Sequence, residues 1–219
     1  MKIVFDIETA GTDLEELPES QQEYLLRHSE GKIEEVKRYL SLYPFTAKII
    51  SIGMLNATTE NLFVMFESES KEEWSSDDKK VRYSGMSEAE MISSFWDYVS
   101  KSETIITFNG RNFDVPFLML RSSVLGIKPS RNYLKNRYNN TNHIDLQEML
   151  TFYGTVKKFN LDFYCQSYGI ESPKSDGITG MDVKEMYKAG KIKEIAIYCG
   201  KDVKATYELY KIWNKYLNL

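Results

Sequence analysis

Apolar positions along this chain fall into two kinds of pattern, and each kind predicts a different secondary structure. Short runs of apolar and β-branched residues without a helical period predict strands. Apolar residues that recur every three or four positions on a polar background predict amphipathic helices. The runs that predict strands are 2–6, 48–56, 61–66, 103–108 and 143–146. The segments that predict helices are 13–43, 87–101, 113–125, 160–169, 182–190 and 192–217.

Residues at the ends of several segments support these helices. Ser87-Glu88-Ala89-Glu90 is a capping box, in which a serine and a glutamate side chain each accept a hydrogen bond from a free backbone N–H group. Asn160 and Asp182 are predicted N-caps, and Gly169 and Gly190 are predicted to end the same two helices.

The order of these elements predicts the fold class. A strand is followed by a helical insert, a hairpin, a helix, a strand, a helix, a strand and further helices. This order predicts an α/β fold with a mixed five-stranded sheet flanked by helices. The helical insert covers about 13–43, and a polar loop covers about 67–80. With 219 residues and no linker, the chain is expected to form a single domain over 1–219.

Composition and charge exclude several classes of protein. Apolar residues make up 42% and charged residues 27% of the chain, which is the balance of an ordinary globular protein. No apolar run approaches the roughly 18 residues of a membrane span, and Asp6 comes too early for a secretion signal. The two cysteines, Cys165 and Cys199, are too few for a disulfide framework or a zinc cluster, so we expect reduced thiols and a cytoplasmic protein. A net charge of −4 argues against a large basic surface for duplex DNA.

The first candidate site is Asp6-Ile7-Glu8, at the end of the first predicted strand. Two carboxylates two residues apart on a strand point to the same side of the sheet, where they can bind one divalent cation. The sequence Asp-x-Glu alone is weak evidence for a site, because chance predicts about one occurrence in a chain of this composition. A second copy, Asp13-Leu14-Glu15, lies in a charged helical stretch. The alternative for Asp6 and Glu8 is a solvated strand end.

The second candidate is Asn109-Gly110-Arg111-Asn112-Phe113-Asp114, between a buried strand and a helix. The string Asn-Gly-x-x-Phe-Asp is far more specific, because its chance expectation is about 2 × 10⁻³. A carboxylate in the first turn is also favoured by the helix dipole, which is the structural alternative for Asp114.

The third candidate is the pair Tyr198 and Asp202, which are four residues apart and share one helix face. Chance predicts about 0.75 such pairs, so this string alone is weak. Gly200 lies inside the same helix, where glycine costs about 1 kcal/mol relative to alanine. A close approach of another backbone or of a substrate would explain it. The alternative is a packed tyrosine and a surface acid.

Taken in order, the three strings resemble the three exonuclease motifs of the DnaQ-like, or DEDD, 3′–5′ exonucleases, which have a ribonuclease H-like fold. The tyrosine four residues before the last aspartate resembles the tyrosine subgroup of that family. The histidine subgroup has histidine five residues before that aspartate, where this chain has Ile197.

The residues of the first two motifs make the resemblance more specific. Phe5-Asp6-Ile7-Glu8-Thr9 and the stretch from Asn109 to Leu118 are most similar to the proofreading domains of family B DNA polymerases and their stand-alone bacterial relatives. The resemblance covers most of the chain and is weakest over 13–43 and 67–80. No polymerase module accompanies it, so a free-standing exonuclease domain is expected.

The resemblance implies a two-metal-ion mechanism. Two divalent ions about 3.5–4 Å apart supply an attacking hydroxide and stabilise the leaving oxygen. Mg²⁺ or Mn²⁺ would be bound by the four carboxylates, since hard cations prefer oxygen ligands. If the roles of the matching family residues apply here, Asp6 would bridge both ions and Asp114 would hold the second ion. Glu8 and Asp202 would complete the site that activates water. Tyr198 would orient the attacking water.

Substrate contacts are implied in the same way. The backbone of Thr9 and Ala10 would approach the terminal nucleotide, and Asn109 and Phe113 would line the substrate cleft. Phe113 could stack on a base, although a core position is an equal alternative. Asp145 follows an apolar pair and precedes a helix, so a helix cap is favoured over a metal ligand.

The function implied is 3′–5′ exonuclease activity on single-stranded DNA or frayed ends, with release of nucleoside monophosphates. An exoribonuclease with the same mechanism is the nearest alternative, because recognition of the 2′-OH cannot be assigned to any residue. A noncatalytic nucleic-acid-binding domain and an endonuclease of the same broad fold are further alternatives. DNA is favoured over RNA as the nucleic-acid partner, and no membrane association is expected.

Overall fold

Seven strands form one mixed sheet in the part of the chain that the computed structural model describes, which is residues 1–30, 32–180 and 182–218. In chain order they are β1 (Lys2–Gly11), β2 (Ala47–Asn56), β3 (Leu62–Glu67), β4 (Glu73–Ser75), β5 (Val81–Met86), β6 (Thr104–Thr107) and β7 (His143–Asp145). Across the sheet the order is β4-β5-β3-β2-β1-β6-β7. The long strand β1 therefore lies inside the sheet, between β2 and β6.

Eight α-helices accompany the sheet in the same described residues. They are α1 (Glu19–His28), α2 (Ile33–Tyr39), α3 (Glu88–Ser100), α4 (Asp114–Val124), α5 (Leu146–Leu150), α6 (Leu161–Tyr168), α7 (Val183–Lys188) and α8 (Ile192–Tyr216). No helix within these ranges combines the length and the apolar character needed to cross a bilayer.

The two faces of β1 pack against different helices, because successive side chains of a strand point to opposite sides. Phe5 packs with residues of α3 and α4 in one core. Val4 belongs to a second core, which α8 helps to form on the other face. Asp6 and Glu8 share the parity of Val4, and the alternation of the strand therefore directs both carboxylates toward α8.

The sheet has two more strands than the five predicted from sequence. β5 pairs in parallel with β3, and β4 pairs antiparallel with β5 at the sheet edge. Neither strand has a continuous apolar run, because β5 reads Val-Arg-Tyr-Ser-Gly-Met and β4 spans three residues. Such strands depend on cross-strand contacts, here including Trp74 stacked on Tyr83 at 4.7 Å between ring centroids. The polar segment 67–80 is therefore partly a strand rather than only a loop.

Most of the predicted helix ends are confirmed. Ser87 and Glu90 form the reciprocal capping box of α3, and the Asn160 side chain accepts the Phe163 N–H at the start of α6. Gly169 ends α6 in the left-handed conformation, at φ 68°. Asp182 precedes α7, but its side chain accepts hydrogen bonds from Thr179 instead of capping the helix.

The insert over 13–43 is helical, as predicted, and consists of α1, α2 and two short 3-10 turns. Leu14, Val36 and Leu40 form a small apolar cluster of their own. The end of the insert is attached to β1, because Thr9 Oγ1 donates to the Ser41 carbonyl at 2.6 Å and Gly11 N donates to Ser41 Oγ at 3.0 Å. These bonds hold the insert beside the segment that follows the first motif.

Candidate active site

The first motif lies in the middle of β1 and not at the strand end expected from sequence. β1 continues to Gly11, and its pairing with β2 shifts at a bulge between Glu8 and Thr9. Bulges of this kind re-aim side chains and are common beside functional sites. β6 pairs with β1 only as far as Val4, so the Asp6 side chain lies beyond the carboxyl end of β6.

Asp114 reaches the same place from the first turn of α4. Its carboxylate is 3% exposed and accepts a hydrogen bond from the Ile7 N–H, with 3.2 Å between Oδ1 and the nitrogen. Since Ile7 lies between Asp6 and Glu8, this bond places the second motif directly against the first. The sequence separation between the bonded residues is 107 positions.

Tyr198 and Asp202 complete the cluster from α8. The two side chains are close enough on one helix face for Asp202 to raise the pKa of Tyr198 and for Tyr198 to lower that of Asp202. Burial raises the pKa of Tyr198 far above its ordinary value, and the charges of Asp202 and Glu8 raise it further. The phenol is therefore a proton donor at neutral pH.

The four carboxyl groups perturb one another strongly. Burial, followed by repulsion from Asp114 and Asp202, raises the pKa of Asp6 and of Glu8 well above their ordinary values. Burial also raises the pKa of Asp114 to about 7 and that of Asp202 to about 6. Concentrated negative charge of this kind is typical of sites that bind divalent cations.

The ligand atoms fit a hard cation. Oxygens of Asp6 and Glu8 and the Cys199 sulfur all lie within 4.8 Å of one another. The pKa of Cys199 is raised well above its ordinary value, first by burial and then by Asp6 and Glu8, so the sulfur stays a thiol. It lies 3.7 Å from the Asp6 carbonyl oxygen, within hydrogen-bonding reach. The charged ligand atoms at this site are therefore carboxylate oxygens. Oxygen ligands are preferred by Mg²⁺ and Mn²⁺, whereas softer metals prefer thiolates.

Asp145 supports the loop that carries the second motif. Its carboxylate accepts the N–H groups of Asn109 and Arg111, each at 2.9 Å, and also that of Gln147 at 3.0 Å at the start of α5. The predicted cap is confirmed, but the two bonds across to the loop were not anticipated. They hold Asn109 in the left-handed conformation, at φ 63°, five residues before Asp114.

Replacing Asp145 by alanine should therefore lower both stability and any activity of the site. Loss of an acceptor for four backbone N–H groups, including that of Glu148, should cost about 2 kcal/mol of unfolding free energy. The displaced loop should lower the cleavage rate by about tenfold or more. Melting curves and initial rates test this, with Asn160→Ala as the control. That variant removes another N-cap, at about 1 kcal/mol, and an equal loss of rate there would contradict the positioning role.

Lys174 is a charged neighbour of the site that the sequence did not reveal. It lies in the short 3-10 turn before α7, and its charge lowers the pKa of Asp202 against the larger effect of burial. It also lines the same cleft as Glu8. A lysine in a polar turn, after Pro173, carries no pattern that would distinguish it from other surface lysines.

The residues expected to contact substrate occupy different environments. Thr9 and Phe113 line the cleft beside Glu8, and Phe113 also packs on Phe117 at 5.6 Å between ring centroids. The Ala10 side chain is buried in a small core with Tyr198. The side-chain oxygen of Asn109 accepts a hydrogen bond from the side-chain amide of Asn112 at 2.8 Å.

Gly200 faces the sheet and not the cleft. A β-carbon at this position would lie 3.3 Å from Leu62 and 3.4 Å from Val64 of β3. Close packing of α8 on the sheet therefore explains this glycine in a helix, and it needs no contact with substrate.

Comparison with known proteins identifies the family. Residues 37–216 match the model of a family described as a predicted 3′-5′ exonuclease related to the exonuclease domain of PolB. Because the match covers most of the chain, the protein belongs to this family. The resemblance to the exonuclease domain of family B DNA polymerases is thereby confirmed, although Asp6 and Glu8 precede the matched residues.

Two relatives agree with this assignment. The sequence is 29% identical over 138 residues to a DNA polymerase of Pyrococcus glycovorans, an alignment that covers 56% of this chain and 18% of the polymerase. The fold matches the family B DNA polymerase of the archaeon Pyrobaculum calidifontis with a TM-score of 0.64 and 17% identity, over 97% of this chain and 24% of that one. The chain thus spans a quarter or less of each polymerase, and the fold is ribonuclease H-like, as expected.

Proposed function

We propose that this chain is a 3′–5′ exonuclease domain that removes nucleoside monophosphates from the 3′ end of single-stranded DNA. One observation carries the proposal: four carboxylates from three distant segments, together with Tyr198, come close enough on the α8 side of β1 to perturb one another's pKa. Carboxylates brought together at this desolvation cost are more typical of a catalytic cation site than of a structural one.

Asp6, Glu8, Asp114 and Asp202 would hold two Mg²⁺ or Mn²⁺ ions in this proposal. Bound there, the ions would supply Lewis-acid stabilisation of the phosphate and lower the pKa of a bound water. The chain itself positions the ligands, since the bond from Ile7 N to Asp114 locks α4 against β1. Lys174 offsets part of the negative charge near Asp202.

Tyr198 would donate a hydrogen bond and orient the attacking water. It would not act as the general base, because its pKa is raised and the phenol keeps its proton at neutral pH. The charges of Asp202, Glu8 and Asp6 all raise this pKa, which supports a phenol close to the carboxylate cluster.

Replacing Tyr198 by phenylalanine should lower kcat by about 10- to 100-fold, because the ring remains but the orienting hydroxyl is lost. Single-turnover rates on labelled DNA measure this effect. Tyr207→Phe is a matched control on the same helix, since Tyr207 donates its hydroxyl to Ala57 and Glu60 away from the carboxylates. An equal decrease in both variants would contradict the role of Tyr198.

DNA is proposed over RNA because the sequence relative from Pyrococcus glycovorans is a DNA polymerase. The test is incubation of the purified protein with 5′-labelled single-stranded DNA and matched RNA, in Mg²⁺, Mn²⁺ or a chelator. A metal-dependent ladder that shortens from the 3′ end supports the proposal, and faster cleavage of RNA would revise the substrate. No cleavage of either polymer, with binding intact, would overturn the proposed activity in favour of a noncatalytic domain.

A further inference from the structure

A cleft of about 910 Å³ lies between the helical insert and α7. Glu8, Thr9 and Phe113 form part of its lining, so the cleft opens directly onto the carboxylate cluster. A volume in the range of about 300–1,000 Å³ suits a ligand of a few linked units, because pockets of that size enclose drug-sized molecules. The cleft is therefore a place where the chain of a polymer could lie next to the site.

Basic side chains line this cleft on both sides. Lys37 and Arg38 of α2 contribute from the insert, while Lys174, Lys184 and Lys188 contribute from the opposite side. These five cations face four lining carboxylates, one of which belongs to the proposed metal site. The whole chain has a net charge of −4. The positive balance is thus local to the cleft, as expected for a surface that binds an anionic ligand.

One carboxylate joins the two sides of the cleft. Asp13 Oδ1 lies 3.0 Å from Lys184 Nζ and 2.7 Å from Lys188 Nζ. The Lys184 ammonium also approaches the Thr12 carbonyl at 3.4 Å and is 15% exposed. The charges of Glu185 and Glu16 also act on Lys188, but its 44% exposure leaves N–H donors accessible.

The α2 side of the cleft is also accessible. Lys37 bonds to Glu15 at 2.6 Å but remains 38% exposed. Tyr39 lines the same cleft and is 38% exposed, so its ring offers a surface on which a base can stack. Ammonium groups with an exposed aromatic ring are the combination that binds single-stranded nucleic acid without reading its sequence.

We propose that the cleft between the insert and α7 binds the phosphodiester backbone of a single strand, at the nucleotides upstream of the 3′-terminal one. This inference rests on the proposed exonuclease function for the direction of the strand. The insert is then a substrate-binding wall that gives the site a preference for longer single strands over dinucleotides.

The test combines one exposed lysine from each side, Lys37→Gln and Lys188→Gln, and leaves the more buried Lys184 in place. Affinity for a 5′-fluorescein oligothymidylate of about ten nucleotides is measured by anisotropy in chelator, over a range of salt concentrations. Two lost phosphate contacts should reduce the slope of log affinity against log salt by about 1.4. Lys211→Gln with Lys215→Gln, on the far end of α8, should leave the slope unchanged.

Hydrolysis supplies a second measurement in Mg²⁺ or Mn²⁺. The kcat/KM advantage of the longer oligonucleotide over a dinucleotide should shrink about tenfold in the cleft variant, which corresponds to one or two weakened phosphate contacts. The Lys211 and Lys215 variant should keep the advantage of the unchanged protein.

The two proposals fail separately. If the unchanged protein cleaves DNA and the cleft variant keeps its salt slope and length dependence, the cleft proposal is overturned and the exonuclease stands. If no polymer is cleaved but the salt slope falls as expected, the exonuclease is overturned and the cleft remains a binding site. A normal slope together with no cleavage overturns both.

Discussion

Replacing Asp202 by asparagine should lower the rate of 3′-end hydrolysis by about 10³-fold or more, equivalent to about 4 kcal/mol of lost transition-state stabilisation. Asp202 lies on α8 beside Tyr198 and repels both Asp6 and Glu8, so it belongs to the same cluster as the first motif. Removing one of the proposed ligands should therefore disable the whole proposed cation site. Asp6→Asn should have an effect of the same size.

The double variant with Asp6→Asn and Asp202→Asn should be only slightly less active than either single variant. The reason is that the effects of residues that act as a unit are strongly non-additive. Glu208→Gln is the matched control for Asp202. Glu208 is a carboxylate on the same helix, it is exposed, and it pairs with Lys211 at 2.7 Å. Single-turnover cleavage of 5′-labelled DNA in Mn²⁺ measures all four proteins. Full activity in Asp202→Asn would rule out its assignment as a metal ligand.

Asp6→Asn should make the metal-free protein more stable while it destroys activity. The Asp6 carboxylate is raised in pKa by burial and by repulsion from Asp114, Asp202 and Glu8, so its charge opposes folding. Removing that charge should add about 2 kcal/mol to the free energy of unfolding, or about 4–8 °C to Tm. Thermal melts in chelator measure this, and Asp97→Asn on the exposed side of α3 is the control.

With Mn²⁺ bound, the unchanged protein should become more stable than Asp6→Asn. A cation that binds only the folded state adds about 2.7 kcal/mol when its concentration is 100 times its Kd. The unchanged protein should gain this stabilisation, whereas Asp6→Asn should gain far less, because it has lost a shared ligand. Equal stabilisation of both proteins by Mn²⁺ would show that the cation binds elsewhere.

Burial of the acids predicts how the stability of the metal-free protein depends on pH. The pKa is about 7 for Asp114 and about 6 for Asp202 in the folded protein, both above the value of about 3.8 for an unperturbed aspartate. The folded state therefore holds these protons more tightly than the unfolded chain, so stability should fall as the pH rises from about 4 through about 7. In Asp6→Asn the fall should be shallower, since a further carboxyl group with a raised pKa is absent.

Much of the candidate site follows from local patterns. The period of two along β1 puts Asp6 and Glu8 on one face, and the period of α8 does the same for Tyr198 and Asp202. The ordered occurrence of three short motifs then indicated the family that the comparison confirmed. These are properties of residues close together in the chain, where spacing alone fixes relative direction.

Other features were beyond the reach of local patterns. The strands β4 and β5 pair across the sheet edge, and parallel pairing with β3 leaves no hairpin signature in the sequence. Lys174 and Asp145 acquire their importance only from neighbours brought to them by the fold. The cleft between the insert and α7 likewise depends on Asp13 meeting Lys184 and Lys188, which lie more than 170 positions later in the chain.

The α/β class, most of the helices and central strands, and the residue types of a carboxylate site follow from the residue order alone. The number of strands, the support of the second motif by Asp145, and the basic cleft beside the carboxylates emerge only in the folded protein. The physical reason is that periodicity specifies which face of an element a side chain occupies. Which faces meet is decided by packing between distant segments, and the desolvation and mutual repulsion of the acids arise only once those faces have met.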